Sequence, residues 1–140
     1  MWVRHRVFVQ EQGVAPEIEW DEIDRDAIHL AAISGGRVVG AARVFSDGAE
    51  WHVGRVAVLQ QYRGRGVGTL LMRVAEGIAQ ERGALEVALN AQAPVVEFYL
   101  RLGYSGEGSI FFEAGIPHRR MIKRLTELLT EKALSLELTL

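Results

Sequence analysis

The chain has 140 residues, enough for one domain with a real core and too few for two. Its net charge of -2 gives no general attraction to nucleic acid or to an anionic membrane, so any affinity for phosphate must be local. The absence of cysteine excludes disulfides, a thiolate nucleophile and thiolate metal sites, and a composition 49% hydrophobic and 24% charged is that of an ordinary soluble globular protein.

No apolar run approaches the roughly 20 residues needed to cross a bilayer. The amino terminus, Met1-Trp2-Val3-Arg4-His5-Arg6, has no signal-peptide layout, so a cytoplasmic location is expected. The histidines, His5, His29, His52 and His118, lack spacings such as H-x-x-x-H, and no metal centre is expected.

Val3, Val7 and Phe8 stand near helical spacing and predict a short first helix over 2–12, with Gly13 as its stop. Residues 14–26 carry Pro16 and six acidic side chains among thirteen positions, which predicts a loop or a poorly periodic helix. Glu17, Glu19, Asp21, Glu22, Asp24 and Asp26 read there as a solvated face, able also to draw in a cationic amine. Strands are predicted over 28–33, 37–45 and 50–58, separated by Gly35-Gly36 and Ser46-Asp47-Gly48 and forming an antiparallel meander. His29, inside the first apolar strand, reads as a hydrogen-bonded core histidine.

The third strand runs into the most informative stretch of the chain. Residues 56–70 read Val-Ala-Val-Leu-Gln-Gln-Tyr-Arg-Gly-Arg-Gly-Val-Gly-Thr-Leu, a β-branched run that breaks into alternating glycines and opens into a helical pattern. Gly64, Gly66 and Gly68 let backbone amides converge without Cβ obstruction, and the following helix adds its unpaired N–H groups and partial positive charge. Such a cradle suits a pyrophosphate. Thr69 stands where a dinucleotide fold's G-x-G-x-x-G needs its third glycine, and no Lys-Ser or Lys-Thr pair is near for a P-loop. A glycine-rich turn that binds nothing is the plain alternative. Arg63 and Arg65 are at most helpers for phosphate charge, since the cradle works through backbone amides.

Val67, Leu70, Leu71, Val74, Ile78 and Ala79 continue at helical spacing as far as Gly83, the expected carboxy-terminal cap. Ala84 to Leu89 reads as a short buried strand. Pro94 suits a first helical turn, and Gly103 closes that helix after Leu102. Residues 104–123 predict two strands around a loop containing Gly115, Ile116 and Pro117. In the tail, Leu125, Leu128, Leu129 and Lys132 fit a helix, whereas Leu134, Leu136, Leu138 and Leu140 alternate like a strand.

Gln61-Tyr62-Arg63-Gly64-Arg65-Gly66 fits Q-x-x-G-x-G and resembles the acetyl-coenzyme A pyrophosphate loop of the GNAT N-acetyltransferases. A second GNAT-like signature follows one helix and one strand later, at Asn90-Ala91-Gln92 and Glu97-Phe98-Tyr99-Leu100-Arg101-Leu102-Gly103-Tyr104. Val7-Phe8-Val9-Gln10-Glu11-Gln12 and Gly115-Ile116-Pro117-His118 extend the likeness to the ElaA/YjcF-like branch, over roughly residues 3–124. The resemblance implies an α/β (α+β) GNAT fold, with a mixed central sheet of about six to seven strands flanked by helices. One domain would span 1–124, and 125–140 would be an extension.

For the site, the resemblance implies that Val56, Ala57 and Val58 offer backbone groups to the pantetheine arm from a splayed strand. Amides of Arg63, Gly64, Arg65, Gly66, Val67, Gly68 and Thr69 would hold the pyrophosphate. Asn90 would bond the arm, Phe98 would lie by the thioester, and Tyr99 would protonate the departing thiolate. A phenol of pKa about 10 is only a modest acid for that purpose; the plain alternative is a core aromatic, with Phe98 able to take the core role.

Gly54 stands where many relatives carry a glutamate base. Glu11, His29, His52 and His118 are the substitutes, with His118 in a loop on the acceptor side and Glu11 alternatively pairing within the first helix. Direct transfer of acetyl from acetyl-CoA to a small-molecule or protein amine in a ternary complex is the expected function. A coenzyme A-binding module or sensor without acceptor chemistry is the other. Relatives place a strand ahead of the first helix, and here only Met1 and Trp2 precede it. Either the recorded start is downstream of the true one, or Leu134–Leu140 covers the sheet edge, within the chain or across a homodimer.

Overall fold

A computed structural model describes residues 2–125. In chain order it has α1 (Trp2–Arg4) continuing into a π-helical stretch (His5–Glu11), α2 (Pro16–Glu19), a 3-10 turn (Glu22–Arg25), β1 (Ile28–Ser34), β2 (Arg37–Ser46) and β3 (Trp51–Val58). After a 3-10 turn (Gln60–Tyr62) come α3 (Val67–Glu81), β4 (Glu86–Gln92), a further 3-10 turn (Ala93–Val95), α4 (Val96–Arg101), β5 (Ser105–Glu113) and β6 (Ile116–Arg124). The strands form a six-stranded sheet in the order β1-β2-β3-β4-β6-β5. It is mixed: β1–β2, β4–β6 and β5–β6 are antiparallel, and β3–β4 is parallel. The tail helix and strand expected after Leu125 lie outside the described residues.

Two compact units divide these elements, one running to Phe45 and resuming over Val53–Ala75, the other taking Ser46–His52 and the chain from Glu76. In the first, Val3, Val7 and Phe8 bury against Val39 and Ala41 of β2, Ala57 of β3, and Leu59. Burying such a side chain is worth roughly 1.5–3 kcal/mol each. Gly40 is required by close approach, since a Cβ there would meet Val67 at 3.0 Å and Leu71 at 3.1 Å. The first helix forms as expected, but most of it winds as a π-helix, and Gly13 at φ +74° ends it.

The acidic stretch departs from expectation. Residues 14–26 form two short helical turns, the helical alternative, but Glu19, Asp21 and Asp24 fold over an ion network in place of one solvated acidic face. Arg4, fully buried, donates Nε to Glu19 Oε1 at 2.5 Å and Nη1 to Asp24 Oδ1 at 2.5 Å. Arg43 donates Nη1 to Asp21 Oδ1 at 2.6 Å and lies 3.0 Å from Asp24 Oδ1, while Arg55 Nη2 reaches Asp21 Oδ2 at 3.3 Å. Of the six acids in this stretch, only Glu17, Glu22 and Asp26 are exposed. Charges leave water in this way only when paired and hydrogen-bonded, and the arginines that pair them are distant in sequence. Glu19, Asp21 and Asp24 are therefore spent on the fold and do not form an attracting surface for an amine.

Burial alone would raise the Asp24 carboxyl, but hydrogen bonds from Arg4, from the Asp21 N–H and from Arg43 overcome it and hold the group well below the usual carboxylate range. A pKa depressed in the folded state contributes stability above the unfolded value, about 3.9, and loses it as pH falls through the folded one. Unfolding free energy from urea melts should accordingly drop below about pH 4. In Asp24→Asn, less stable at neutral pH, this acid limb should be shallower.

His29 is not in a core. β1 alternates, with Ile28, Leu30 and Ala32 half-buried and His29 on the exposed side, where Nε2 meets the Asp24 carbonyl at 2.8 Å and the ring stacks on Trp20.

In the second unit, Trp51 and His52 at the start of β3 pair with Val87 and Ala88 of β4. Buried Val87, Ala88, Leu89, Ala91, Tyr99, Tyr104 and Met121 form its interior. Glu76 accepts the Tyr104 hydroxyl at 2.7 Å and Lys123 Nζ at 2.9 Å. β4 begins two residues later than the predicted Ala84–Leu89 strand, since Gly83 turns at φ +95° and Leu85 is left exposed. The β5–β6 connection is also tighter than predicted: Ala114 and Gly115 make the turn at positive φ, so Ile116, Pro117 and His118 are in β6, not in a loop.

Candidate active site

In the first unit, β3 leads through Leu59 and the 3-10 turn into Arg63–Gly66 and then α3. Gly64 at φ +74° and Gly66 at φ +83° take left-handed backbone that other residues rarely adopt, and a Cβ on either would meet nothing within 4 Å. The glycines are thus set by backbone conformation and not by crowding within the protein. The Leu70 N–H closes the first helical bond, onto the Gly66 carbonyl at 3.0 Å, so the amides of Val67, Gly68 and Thr69 stand ahead of the ladder. With the macrodipole of a 15-residue helix behind them, they are of a kind suited to an anion.

The flanking arginines are engaged within the protein. Arg65 lies over the Tyr62 ring, 5.4 Å from its centroid. Arg63 donates Nε to the Val58 carbonyl at 2.9 Å and Nη2 to both Glu11 oxygens at 3.1 and 3.0 Å. Glu11 therefore does not pair within its own helix; its partner is the first residue of the cradle. Pairing across 52 positions leaves no periodic trace in the sequence.

Along β3, Val56 and Val58 are half-buried and Ala57 is buried. Arg55 holds φ +51°, an uncommon conformation for a residue with a side chain, so the strand is kinked just ahead of them. At Gly54 a Cβ would have only Arg43 Nε within 4 Å, at 3.8 Å. A side chain has room there, and its absence is not imposed by crowding.

In the second unit, Asn90 is exposed on β4, opposite Arg120 of β6. Tyr99 of α4 is 8% exposed and meets Phe98 and Tyr104 edge-on, at 5.0 and 5.8 Å between centroids, while Phe98 is only half-buried. The core role offered to Phe98 has gone to Tyr99. Burial pushes the Tyr99 phenol well above its ordinary value. His118 is buried in β6, stacked on Phe111, with Nδ1 2.7 Å from the Ile116 carbonyl and Nε2 3.6 Å from Glu113. In the neutral ring that contact keeps the proton on Nδ1 and leaves Nε2 as acceptor. His52 Nε2 lies 2.8 Å from Asp47, with Glu50 close by. Asp47 also accepts two backbone N–H groups and Glu50 pairs with Arg120, so both carboxylates have partners in the protein.

A family model described as "Acetyltransferase (GNAT) domain" matches residues 5–125. The chain belongs to the GNAT acetyltransferase family. It is 38% identical over 123 residues to "Uncharacterized N-acetyltransferase YjcF" of Bacillus subtilis (strain 168), covering 87% of this chain and 88% of that one. The crystal structure of Escherichia coli ElaA superposes with a TM-score of 0.79 at 29% identity, covering 88% and 86% of the two chains. An acyl-CoA N-acyltransferase from Pseudomonas aeruginosa does so with a TM-score of 0.77 at 31% identity, covering 87% and 85%.

This GNAT protein is thus an acyltransferase whose donor is an acyl-CoA, on the six-stranded mixed sheet expected of it. Among the described residues, no helix is long and apolar enough to cross a membrane. Sequence reasoning missed the Arg4–Glu19–Asp24 network, the Glu11–Arg63 pair and the Tyr104–Glu76–Lys123 triad. Each joins residues 15 to 52 positions apart.

Proposed function

We propose that this GNAT protein transfers acetyl from acetyl-CoA to an amine by direct attack in a ternary complex. The observation that carries the reading is the left-handed Gly64–Gly66 turn feeding the α3 amino terminus, a preformed seat for pyrophosphate. Val56, Ala57 and Val58 take the pantetheine arm through their backbone. Asn90 and Phe98 keep the contacts that the family resemblance assigns them. In the reaction the amine nitrogen bonds to the thioester carbon, the C–S bond breaks, one amine proton passes to a base and the thiolate takes a proton from an acid. A β3 backbone amide stabilises the developing oxyanion.

Tyr99 is the acid in this scheme, and its raised pKa makes it more a hydrogen-bond donor to sulfur than a strong proton source. Tyr99→Phe should lower kcat by about tenfold, a fraction of the usual general-acid effect, and leave acetyl-CoA affinity within about twofold. Steady-state kinetics beside calorimetric binding measure both; unchanged turnover removes Tyr99 from the mechanism. The base is His118 Nε2 or solvent, because both Glu11 oxygens are held by Arg63.

A second reading, an acyl-CoA-binding module without transfer, is favoured by Gly54, where no carboxylate occupies the available room. Calorimetric titration with acetyl-CoA, followed by thiol release across a panel of amines, separates the two. Binding with acceptor-dependent release supports the enzyme, and binding alone supports the module.

A further inference from the structure

We infer that Glu11 is a positioning residue that holds the donor cradle in its binding shape through Arg63. The inference rests on the reading of Arg63–Thr69 as the pyrophosphate seat. One guanidinium joins three segments of the first unit: its Nε is on the Val58 carbonyl at the end of β3, its Nη2 is on Glu11 at the end of the π-helical stretch, and its own backbone opens the cradle. The next residue, Gly64, is at φ +74°, so the turn begins from the point that Arg63 anchors. A planar fork gripping a carbonyl and a carboxylate fixes the orientation of the side chain and of the main chain behind it.

The ion pair is partly exposed, 44% for the Arg63 side chain and 32% for Glu11, so its effect is modest. With the carboxylate occupied in this way, Glu11 supports donor binding and takes no proton from the acceptor. It acts on the pyrophosphate end of the donor alone.

The test compares wild type, Glu11→Gln, Arg63→Lys and the double variant with two donors, acetyl-CoA and acetyl-pantetheine, which lacks the pyrophosphate. Glu11→Gln should weaken CoA binding in calorimetry by about three- to fivefold and raise KM for acetyl-CoA equally, with kcat at saturation unchanged. Its kcat/KM for acetyl-pantetheine should match wild type. Arg63→Lys should weaken CoA binding to a similar extent, and the double variant should lose little more than either single one, as residues acting through one contact do.

Thermal melts of each variant confirm folding, and Glu11→Asp should recover part of the CoA affinity. A fall in kcat with both donors, together with a lost acidic limb in the pH–rate profile, would make Glu11 the base and overturn the inference. Unchanged CoA affinity in a folded Glu11→Gln overturns it as well. Failure of wild type to bind CoA is a different result and strikes the proposed function itself.

Discussion

Arg4→Met should destabilise the protein by about 3 kcal/mol, near the lower end of what breaking a buried ion pair costs. The guanidinium is wholly buried and supplies Glu19 Oε1, the Glu19 carbonyl and both Asp24 oxygens. Once it is gone, Asp24 keeps Arg43 at 3.0 Å and the Asp21 N–H at 3.0 Å, and the Glu19 carbonyl keeps Arg55 Nε at 3.0 Å, but the Glu19 carboxylate is left with Arg55 at 3.9 Å, too far for a strong hydrogen bond. The low-end figure follows from that surviving Arg43 contact. Urea melts at neutral pH measure the loss. Arg4→Met combined with Glu19→Leu and Asp24→Leu should be less damaging than Arg4→Met alone, because the uncompensated buried charge, not the missing attraction, sets the cost. If the single variant unfolds at the wild-type midpoint, the network is not holding the 14–26 segment.

Gly66→Val should lower acetyl-CoA affinity roughly ten- to hundredfold while leaving the fold intact. A Cβ at this position touches no protein atom, so crowding within the protein does not decide the outcome. What decides it is φ +83°, which costs a β-branched residue about 1–3 kcal/mol or drives the loop into another conformation. A loop that relaxes out of this conformation separates the amides facing the ligand and must be returned to it on binding, and about 1.4 to 2.7 kcal/mol of that cost corresponds to the stated range of dissociation constants. Gly77→Ala is the control. It lies inside α3, where its Cβ also meets nothing within 4 Å, so it should raise stability by about 1 kcal/mol and leave binding unchanged. Calorimetric titration of both variants with acetyl-CoA checks the pair. Equal affinity for wild type and Gly66→Val would mean that pyrophosphate is not held here.

The two substitutions probe features of opposite legibility. Gly68 is an ordinary helical residue of α3, whereas Gly64 and Gly66 advertise themselves, because a requirement on local backbone conformation must be met by the residue at that position. The same holds for Gly13, Gly83 and Gly103, which end helices or turns at the expected places, all at positive φ. The acidic run over 17–26 carries no comparable mark. A carboxylate bound by a buried arginine and one bound by water look alike in sequence, so Glu19 and Asp24 read the same as Glu17 and Glu22. His118 shows a middle case: its motif was visible, but whether Ile116 and Pro117 lie in a loop or a strand depended on how tightly Ala114 and Gly115 turn.

By itself, the sequence determined the α/β class, the strand–cradle–helix order and the GNAT resemblance, since each rests on contacts within a few residues: hydrophobic period, glycine conformation and helix termini. Tertiary structure alone decided which charges are structural and which side chain fills the core. It put Tyr99 inside and left Phe98 half out, gave Glu11 to Arg63, and turned three carboxylates into the ballast of Arg4, Arg43 and Arg55. The physical reason is the same throughout. Pairing and burial are settled by groups brought together from distant positions, and their cost in low dielectric appears only once water has been removed.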